Sequence, residues 1–261
     1  MAGTKLFAMS TSSFRFRAII ICLYLISFIL AGCGKQEWES LFNGENLEGW
    51  SVKCIPADRG KTYWTVKEGC IDCNSMGDKD HNYVWLATDR EFSDFHLKLQ
   101  FQLFRESDGN SGIQFRSRYD DSDSATYGGW LSGPQADIHG PDPFRTGLIY
   151  DETTNVRRWI HPSLPDWQIA PGQAPETALN TTLVFFEDDP EAWNSMEIIC
   201  KGMKVETWVN GNVVTAFDAT GILDDELHKA RGSGLSGCIA FQLHSNDELK
   251  IRFKNLLIKE F

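Results

Sequence analysis

The sequence FSDFHLKLQFQLF, residues 92–104, alternates between apolar and polar side chains along almost its whole length. Successive side chains of a β-strand point to opposite faces of the sheet, so this period of two predicts a strand with one face in the core and one in water. The inward positions are Phe95, Leu97, Leu99, Phe101 and Leu103, and the outward positions between them are His96, Lys98, Gln100 and Gln102.

The same period continues on the C-terminal side. Residues 111–119 place Ile113 and Phe115 inward. Residues 193–217 read as three strands, and the Asn-Gly pair at 210–211 is the sequence most typical of a two-residue hairpin.

Two further strands are predicted at 237–245 and 249–261, and they are expected to pair with each other. Helical periodicity is scarce, with one short helix predicted within 224–232. Residues 151–192 form a long segment rich in Pro, Asp, Thr and Trp, and loops of that size are usually functional. Many short strands separated by turn signals predict an all-β fold, a jelly-roll β-sandwich of two antiparallel sheets.

The N-terminus has the pattern of an export signal. Three basic residues precede the apolar stretch 18–32, which is about the length of a signal-peptide core and short for a bilayer span. The stretch ends in LAGC, residues 30–33, which looks like a bacterial lipobox. We therefore predict a signal peptide over residues 1–32, a lipid-anchored linker over 33–38 and one domain over 39–261. The alternative is an uncleaved membrane anchor.

Cleavage before Cys33 would leave its sulfur to carry a diacylglyceryl group, which holds a protein on a membrane without a spanning helix. Gly34 follows, and the lack of Asp there argues against retention in the inner membrane. We expect an exported bacterial lipoprotein, periplasmic or at the cell surface and anchored in the outer membrane.

The net charge limits which partners the chain can bind, and the number of cysteines limits which disulfides it can form. The net charge is −11 and there are no basic runs after the signal, which argues against nucleic acid as a partner. Five cysteines follow Cys33, so they cannot all pair within the chain. A structural disulfide between Cys54 and either Cys70 or Cys73 would suit an exported protein.

An ordered set of short motifs gives a resemblance. LFNGENLEGW (41–50), YWTVKEGCI (63–71), NSGIQFRS (110–117), QADIHG (135–140), TGLIYDE (146–152), AWNSMEIICKG (192–202) and IAFQLHS (239–245) stand in that order. Together they resemble the bacterial 3-keto-disaccharide hydrolase family, formerly a domain of unknown function and also described as 3-keto-glucoside 1,2-lyase/3-keto-2-hydroxy-glucal hydratase. The resemblance implies a concanavalin-like jelly roll that acts on glycosides already oxidised at C3. A partner sugar 3-oxidoreductase would supply such a substrate.

The chemistry of that substrate says what the site needs. A ketone at C3 makes the C2 proton acidic, and its removal allows the C1 substituent to leave by elimination, after which water can add back. The site needs a base, a partner for the enolate oxygen and an acid for the leaving oxygen. A divalent metal ion is an alternative enolate partner, through Lewis acidity.

The stretch 135–139 offers the first candidates. On a strand, Ala136 and Ile138 would face the core, and Gln135, Asp137 and His139 would share the concave face where jelly rolls often bind sugars. Asp137 and His139 are each candidates for the base or for a metal ligand, and Gln135 for substrate binding. The alternative is a solvated strand face with incidental polar side chains.

Other candidates come from neighbouring motifs. Glu152 is predicted to be an acid, or else a residue that caps a turn, and Arg116 to stabilise the enolate, or else to pair with a carboxylate. His244 is predicted to bind substrate or to be a hydrogen-bonded structural histidine. The remaining predicted substrate-binding residues are Gln114, Gln242, Tyr150 and Trp208.

The predicted function is cleavage of 3-keto-glycosides by C2 proton abstraction, elimination and hydration. One alternative is a conventional glycoside hydrolase that uses Asp137 and Glu152 as its two carboxylates. The other is a carbohydrate-binding module without chemistry.

Overall fold

The computed structural model describes residues 1–3, 37–122 and 125–261. Residues 38–261 form one compact unit. Within it, two eight-stranded antiparallel sheets pack face to face, which confirms the predicted all-β jelly-roll sandwich. The predicted signal peptide and the lipidation site at Cys33 lie outside the described residues and stay predictions.

The first sheet has the strand order β14-β13-β12-β6-β16-β4-β3, and β1 pairs with β16. Its strands are β1 (Glu39–Ser40), β3 (Trp64–Lys67), β4 (Cys70–Asn74), β6 (Phe95–Leu103), β12 (Asn194–Lys201), β13 (Lys204–Val209), β14 (Asn212–Asp218) and β16 (Lys250–Glu260).

The second sheet has the order β11-β10-β9-β7-β15-β5-β2, and β8 pairs with β7. Its strands are β2 (Trp50–Cys54), β5 (Val84–Thr88), β7 (Ser111–Asp120), β8 (Trp130–Ser132), β9 (Pro134–Ile138), β10 (Ile149–Asp151), β11 (Arg158–His161) and β15 (Cys238–Leu243).

Helices are short. The α-helices are α1 (Glu176–Leu179) and α2 (Glu226–Arg231), and 3-10 turns cover Pro56–Asp58, Thr126–Gly128, Pro143–Arg145 and Pro171–Gln173. The Asp225 side chain accepts a hydrogen bond from the backbone N–H of His228, and Gly232 ends α2 in the left-handed conformation. None of the helices in the described ranges has the length and apolar character needed to cross a bilayer.

The core lies between the two sheets and follows from the alternation in the strands. The inward side chains of β6 are all buried, as the period of two predicts. At the centre, the rings of Phe241 on β15 and Phe253 on β16 stack with centroids 4.0 Å apart. This contact joins one sheet to the other.

Those last two strands do not pair with each other, so the predicted closing pair is wrong. β15 pairs with β5 and β7, and β16 pairs with β4 and β6. Each of the two strands has a row of apolar side chains that point inward. Two such strands can face each other across the core from opposite sheets, or they can pair side by side within one sheet. The sequence pattern does not distinguish these arrangements.

A β-bulge on β7 changes the direction of Arg116. Ser117 and Gln114 pair with Cys238 and Ala240, so β7 carries one residue more than β15 over this interval. Arg116 has a positive φ of 49°, and an extra residue in a bulged strand re-aims the side chains beside it. The strict alternation that would place Arg116 on the concave face therefore ends at this residue.

The five cysteines in the described ranges are free thiols, so the expected disulfide is not formed. Cys54 lies on β2 of the second sheet, whereas Cys70 and Cys73 lie on β4 of the first. Burial raises the pKa of the Cys73 thiol well above its usual range, which keeps this thiol protonated.

Candidate active site

The outer face of the second sheet is covered over one part and open over another. In the covered part, Trp85, Trp130 and Leu131 are buried, and the Gln114 side chain donates a hydrogen bond to the Leu131 carbonyl. The open part is a pocket of about 500 Å³. It is lined by Tyr83, Asp108, Asn110, Gln135, Asp137, His139, Arg145, Tyr150, Glu152, Arg157, Trp159, Trp167, His244 and Asp247.

β9 forms the floor of the pocket. Ala136 and Ile138 pack into the core, and Gln135 and Asp137 alternate with them to line the pocket, as the spacing predicts. The Asp137 carboxylate accepts a hydrogen bond from Arg145 Nε at 3.0 Å on one oxygen and has Gln135 Nε2 at 3.5 Å from the other. Asp137 is therefore fixed in place by Arg145 and Gln135.

His139 lies at the end of the same floor. Its Nδ1 accepts a hydrogen bond from the backbone N–H of Asp142 at 3.1 Å. Burial and the nearby Arg145 charge lower the pKa of His139, so the ring is neutral at neutral pH. Because Nδ1 accepts, the proton of the neutral ring sits on Nε2, which makes His139 a hydrogen-bond donor and disfavours it as the base.

Glu152 follows β10 and is almost completely buried, with an exposed fraction of 3%. One carboxylate oxygen accepts from Gln242 Nε2 at 3.2 Å, and the other lies 4.0 Å from Arg157 Nε. Burial raises the pKa of Glu152 despite the opposing effect of the Arg157 charge. A buried carboxyl with a raised pKa can exchange a proton at a pH nearer neutrality than an ordinary glutamate.

Tyr83, His244 and Asp247 lie side by side next to Glu152, and His244 Nδ1 is 3.1 Å from the Ser245 carbonyl oxygen. The Tyr83 hydroxyl lies 2.8 Å from His244 Nε2 and 3.4 Å from Arg157 Nη2, and Asp247 Oδ2 lies 3.4 Å from His244 Nδ1. Burial lowers the pKa of His244, but the interaction with Asp247 and the charge of Glu152 outweigh it and raise that pKa overall. His244 is therefore prepared to carry a proton close to neutral pH.

Aromatic side chains form one wall. Tyr150 and Trp159 pack edge to face with centroids 5.2 Å apart, and Trp159 Nε1 donates a hydrogen bond to the Trp167 carbonyl at 2.9 Å. The Trp167 side chain is 69% exposed. The exposed Trp167 ring, supported by these two buried rings, offers an apolar face of the kind that packs on the C–H face of a sugar.

Three acceptor atoms in the pocket find no hydrogen-bond donor within the described parts of the chain. They are Asn110 Oδ1, Gln135 Oε1 and Glu152 Oε2. Buried polar atoms are usually satisfied, so unpaired acceptors on side chains that line a pocket indicate that a ligand or water supplies the donors. Sugar hydroxyls are donors of this kind.

The predicted metal site at Asp137 and His139 is not supported by the arrangement of side chains. Over residues 37–122 and 125–261, no group of three or more His, Cys, Asp or Glu side chains converges to hold a metal ion. Asp137 is instead committed to Arg145.

The structure brings together six of the predicted site residues in one pocket: Gln135, Asp137, His139, Tyr150, Glu152 and His244. Gln242 is buried beneath and contacts Glu152, whereas Gln114 lies in the covered part of the face.

Arg116 and Trp208 are located elsewhere, which corrects their predicted roles. Arg116 is 1% exposed, donates to the carbonyls of Ser93 and Gly202, and pairs with Asp94 at 3.0 Å. Trp208 lies on β13 of the first sheet, and its indole N–H donates to Glu206. The alternating pattern predicts that the Trp208 side chain faces outward, but it does not indicate which of the two sheets contains the strand.

Sequence reasoning missed Arg145, Arg157, Tyr83 and Asp247 as site residues. Arg157 lies in the irregular segment just before β11, where its φ is 44°. No alternation of apolar and polar residues in the sequence therefore predicts where its side chain points. A non-glycine residue held in this region of backbone space often marks a functional site. Asp247 could have been suspected from its position three residues after His244, a spacing that lets a carboxylate reach an imidazole.

The fold and the family to which the chain belongs define a carbohydrate-active or carbohydrate-binding protein of the glycosyl-hydrolase-like jelly-roll class. Two solved structures of Parabacteroides distasonis ATCC 8503, both described as candidate glycosyl hydrolases, share this fold. The first is 22% identical over 87% of this chain and 95% of its own, with a TM-score of 0.54. The second is 20% identical over 86% of this chain and 100% of its own, with a TM-score of 0.50. No curated protein is significantly similar in sequence.

The family follows from the sequence itself. The chain belongs to the family of 3-keto-alpha-glucoside-1,2-lyase-like domains, whose model matches residues 37–259. This confirms the resemblance carried by the ordered motifs.

Proposed function

We propose that this protein cleaves 3-keto-glycosides by removing the C2 proton and eliminating the C1 substituent, with water adding to the product. The observation that carries the proposal is the pair formed by Glu152 and Arg157. Glu152 Oε2 is buried without a hydrogen-bond donor among the described residues, and it lies 4.0 Å from Arg157 Nε.

This pair fits the reacting atoms. The C2 proton and the C3 ketone oxygen sit on neighbouring carbon atoms, so the base and the enolate partner must also be neighbours. Glu152 takes the proton, and the guanidinium of Arg157 stabilises the negative charge that develops on the C3 oxygen. The cation of Arg157 also stacks on Trp130 at 4.8 Å, which holds it beside the pocket.

The leaving oxygen needs a proton as the C1–O bond breaks. His244 and Tyr83 provide one, because the two are joined by a 2.8 Å hydrogen bond and the neighbourhood of Asp247 favours protonated His244. In the elimination, the enolate electrons form the C1=C2 bond, the C3 ketone returns, and the aglycone departs as an alcohol. Water then adds its hydroxyl to C1 and a proton to C2, so the net reaction is hydrolysis.

The Asp137–Arg145 pair serves binding in this scheme. Its oxygens and guanidinium offer hydrogen bonds to hydroxyls on the sugar, beside the unpaired oxygen of Gln135. The exposed ring of Trp167 offers the apolar face. The carboxylate of Asp137 is thus a positioning group rather than the base.

The partners of Asp137 and Glu152 disfavour the two-carboxylate alternative. That mechanism needs both carboxyl groups to take part in the chemistry, one as the acid and one as the nucleophile or base. Asp137 is bound by Arg145 and Gln135, whereas Glu152 keeps one oxygen without a hydrogen-bond donor among the described residues.

Proton NMR in D₂O tests the proposal with methyl 3-keto-glucoside as the substrate. Deuterium is expected at C2 with the wild-type protein, and Glu152→Gln is expected to slow both exchange and cleavage by about 10²–10⁴-fold. Asp137→Asn is the comparison, and it is expected to raise KM while C2 exchange persists.

Two results would overturn the proposal. Cleavage of an unoxidised glucoside without C2 exchange would indicate a conventional hydrolase. Binding of the sugar without exchange or cleavage would indicate a binding module.

A further inference from the structure

A groove of about 340 Å³ adjoins the pocket. It is lined by Arg105, Ser107, Asp108, Gly140, Pro141, Pro143 and Phe185. Asp108 lines both the pocket and the groove, so the two depressions meet at this side chain.

One loop separates the pocket from the groove. Between β9 and β10, His139 and Arg145 line the pocket, whereas Pro141 and Pro143 line the groove. A Cβ added at Gly140 would lie 3.3 Å from Phe185 Cε1, so glycine at this position keeps the groove open beside the ring. The same short segment therefore shapes both surfaces.

Phe185 is a fixed platform in this groove. It forms a parallel bridge with Leu103, and the N–H of Phe186 donates to the Leu103 carbonyl at 2.9 Å. The guanidinium of Arg105 lies over the Phe185 ring at 4.4 Å and pairs with Asp188. The ring and the cation are thus held together before any ligand arrives.

We propose that this groove is the subsite for the leaving group, and that it holds a second sugar ring. The inference rests on the proposed function, in which the sugar to be cleaved occupies the pocket. A glycoside that extends past Asp108 brings its second ring over Phe185 and the two prolines. Their apolar surfaces suit the C–H face of a sugar, and Arg105 and Asp108 suit its hydroxyls.

The test compares a 3-keto-disaccharide with methyl 3-keto-glucoside, which lacks the second ring. Phe185→Leu keeps an apolar side chain but removes the aromatic face. It is expected to lower the ratio of kcat/KM for the disaccharide over the methyl glycoside by about tenfold, mainly through KM. Phe217→Leu is the matched control, because Phe217 is also half-buried and stacks on His161 outside both depressions. The control is expected to leave the ratio unchanged.

Binding of the unoxidised disaccharide separates failure of this subsite from failure of the reaction. Saturation-transfer NMR with the wild-type protein is expected to mark protons of both rings, and Phe185→Leu to lose those of the second ring. An unchanged kinetic ratio, or a second ring that receives no saturation in the wild type, would overturn the subsite. Absence of turnover with saturation of both rings would overturn the proposed reaction and leave the subsite standing.

Discussion

At the scale of single residues, Glu152 couples activity to stability. Burial raises its pKa, so the folded state binds this proton more tightly than the unfolded state does. The folded protein therefore loses free energy of unfolding as the pH rises from the ordinary glutamate pKa through the raised one. The carboxylate that the proposed chemistry uses thus costs stability.

Glu152→Gln is expected to melt at a higher temperature than the wild type at pH 8 and at the same temperature at pH 3, because the amide carries no charge. Its kcat is expected to fall by about 10²–10⁴-fold, the usual contribution of a general base. Thermal melts at both pH values and turnover measurements check this. Glu226→Gln, at a 91% exposed side chain, is the control. Equal melting temperatures of Glu152→Gln and the wild type at pH 8 would show that the charge of Glu152 does not lower stability.

Asp247 is expected to set the titration of His244. The carboxylate raises the pKa of the imidazole, so Asp247→Asn is expected to lower it. NMR titration of the ring protons measures the pKa of His244 directly. The part of the pH–activity profile in which His244 loses its proton is expected to move to lower pH together with that pKa. His161, whose pKa is lowered by burial, is the internal reference and should not move. An unshifted His244 would show that Asp247 does not act on the ring.

Arg116 is expected to contribute to stability and not to chemistry. Arg116→Lys cannot reproduce its bonds to three backbone carbonyls and Asp94, and each buried polar group left unpaired costs about 1–3 kcal/mol. Urea unfolding is expected to show a loss of about 3 kcal/mol, while kcat of the folded protein is retained. Arg118 lies on the same strand as Arg116 and forms an exposed ion pair with Glu91. Arg118→Lys is therefore expected to lower the free energy of unfolding by less than about 1 kcal/mol. A stable Arg116→Lys protein without activity would restore the catalytic role.

At the scale of elements, alternation predicted β9 well and β7 only up to its bulge. The floor residues Gln135 and Asp137 could be read from the sequence, because a regular strand next to the core fixes which side chains face out. Arg116 could not, because the extra residue that turns it inward depends on pairing with β15. Arg145 and Arg157 reach the pocket from segments without periodicity, so only tertiary contacts place them there.

The length of segment 151–192 predicts a functional role, and substitution of its exposed tryptophan tests that prediction. Trp167 is 69% exposed, so Trp167→Ala is expected to leave the melting temperature unchanged. Loss of its ring is expected to raise KM for the proposed substrate by about tenfold, which corresponds to about 1.4 kcal/mol. Trp38→Ala, at a 41% exposed tryptophan outside the pocket, is the matched control. An unchanged KM would remove Trp167 from the binding surface.

At the scale of the whole molecule, the two sheets are expected to unfold together. The Phe241–Phe253 stack joins them, and both side chains are fully buried. Phe253→Ala is expected to cost about 3–5 kcal/mol through lost burial and the cavity left behind. Far-UV circular dichroism and tryptophan fluorescence are expected to report one shared transition in both proteins. Separate transitions would show that the sheets are independent units.

The overall architecture could be predicted from the sequence because strand periodicity and turn residues are local signals. The strand order could not, since it depends on which apolar rows meet across the core. The sequence therefore predicts that 237–245 and 249–261 pair with each other, although the two strands belong to different sheets.

The placement of those two strands has a consequence for biosynthesis. β15 (Cys238–Leu243) lies between β7 and β5, and β16 (Lys250–Glu260) lies between β6 and β4, so the strand that comes last along the chain in each sheet occupies an interior position. Before residues 238–260 have been synthesised, each sheet is split by a missing strand, with unpaired edges on both sides of the gap. Stable folding must therefore wait until both strands have been made, and the incomplete chain needs protection from aggregation until then.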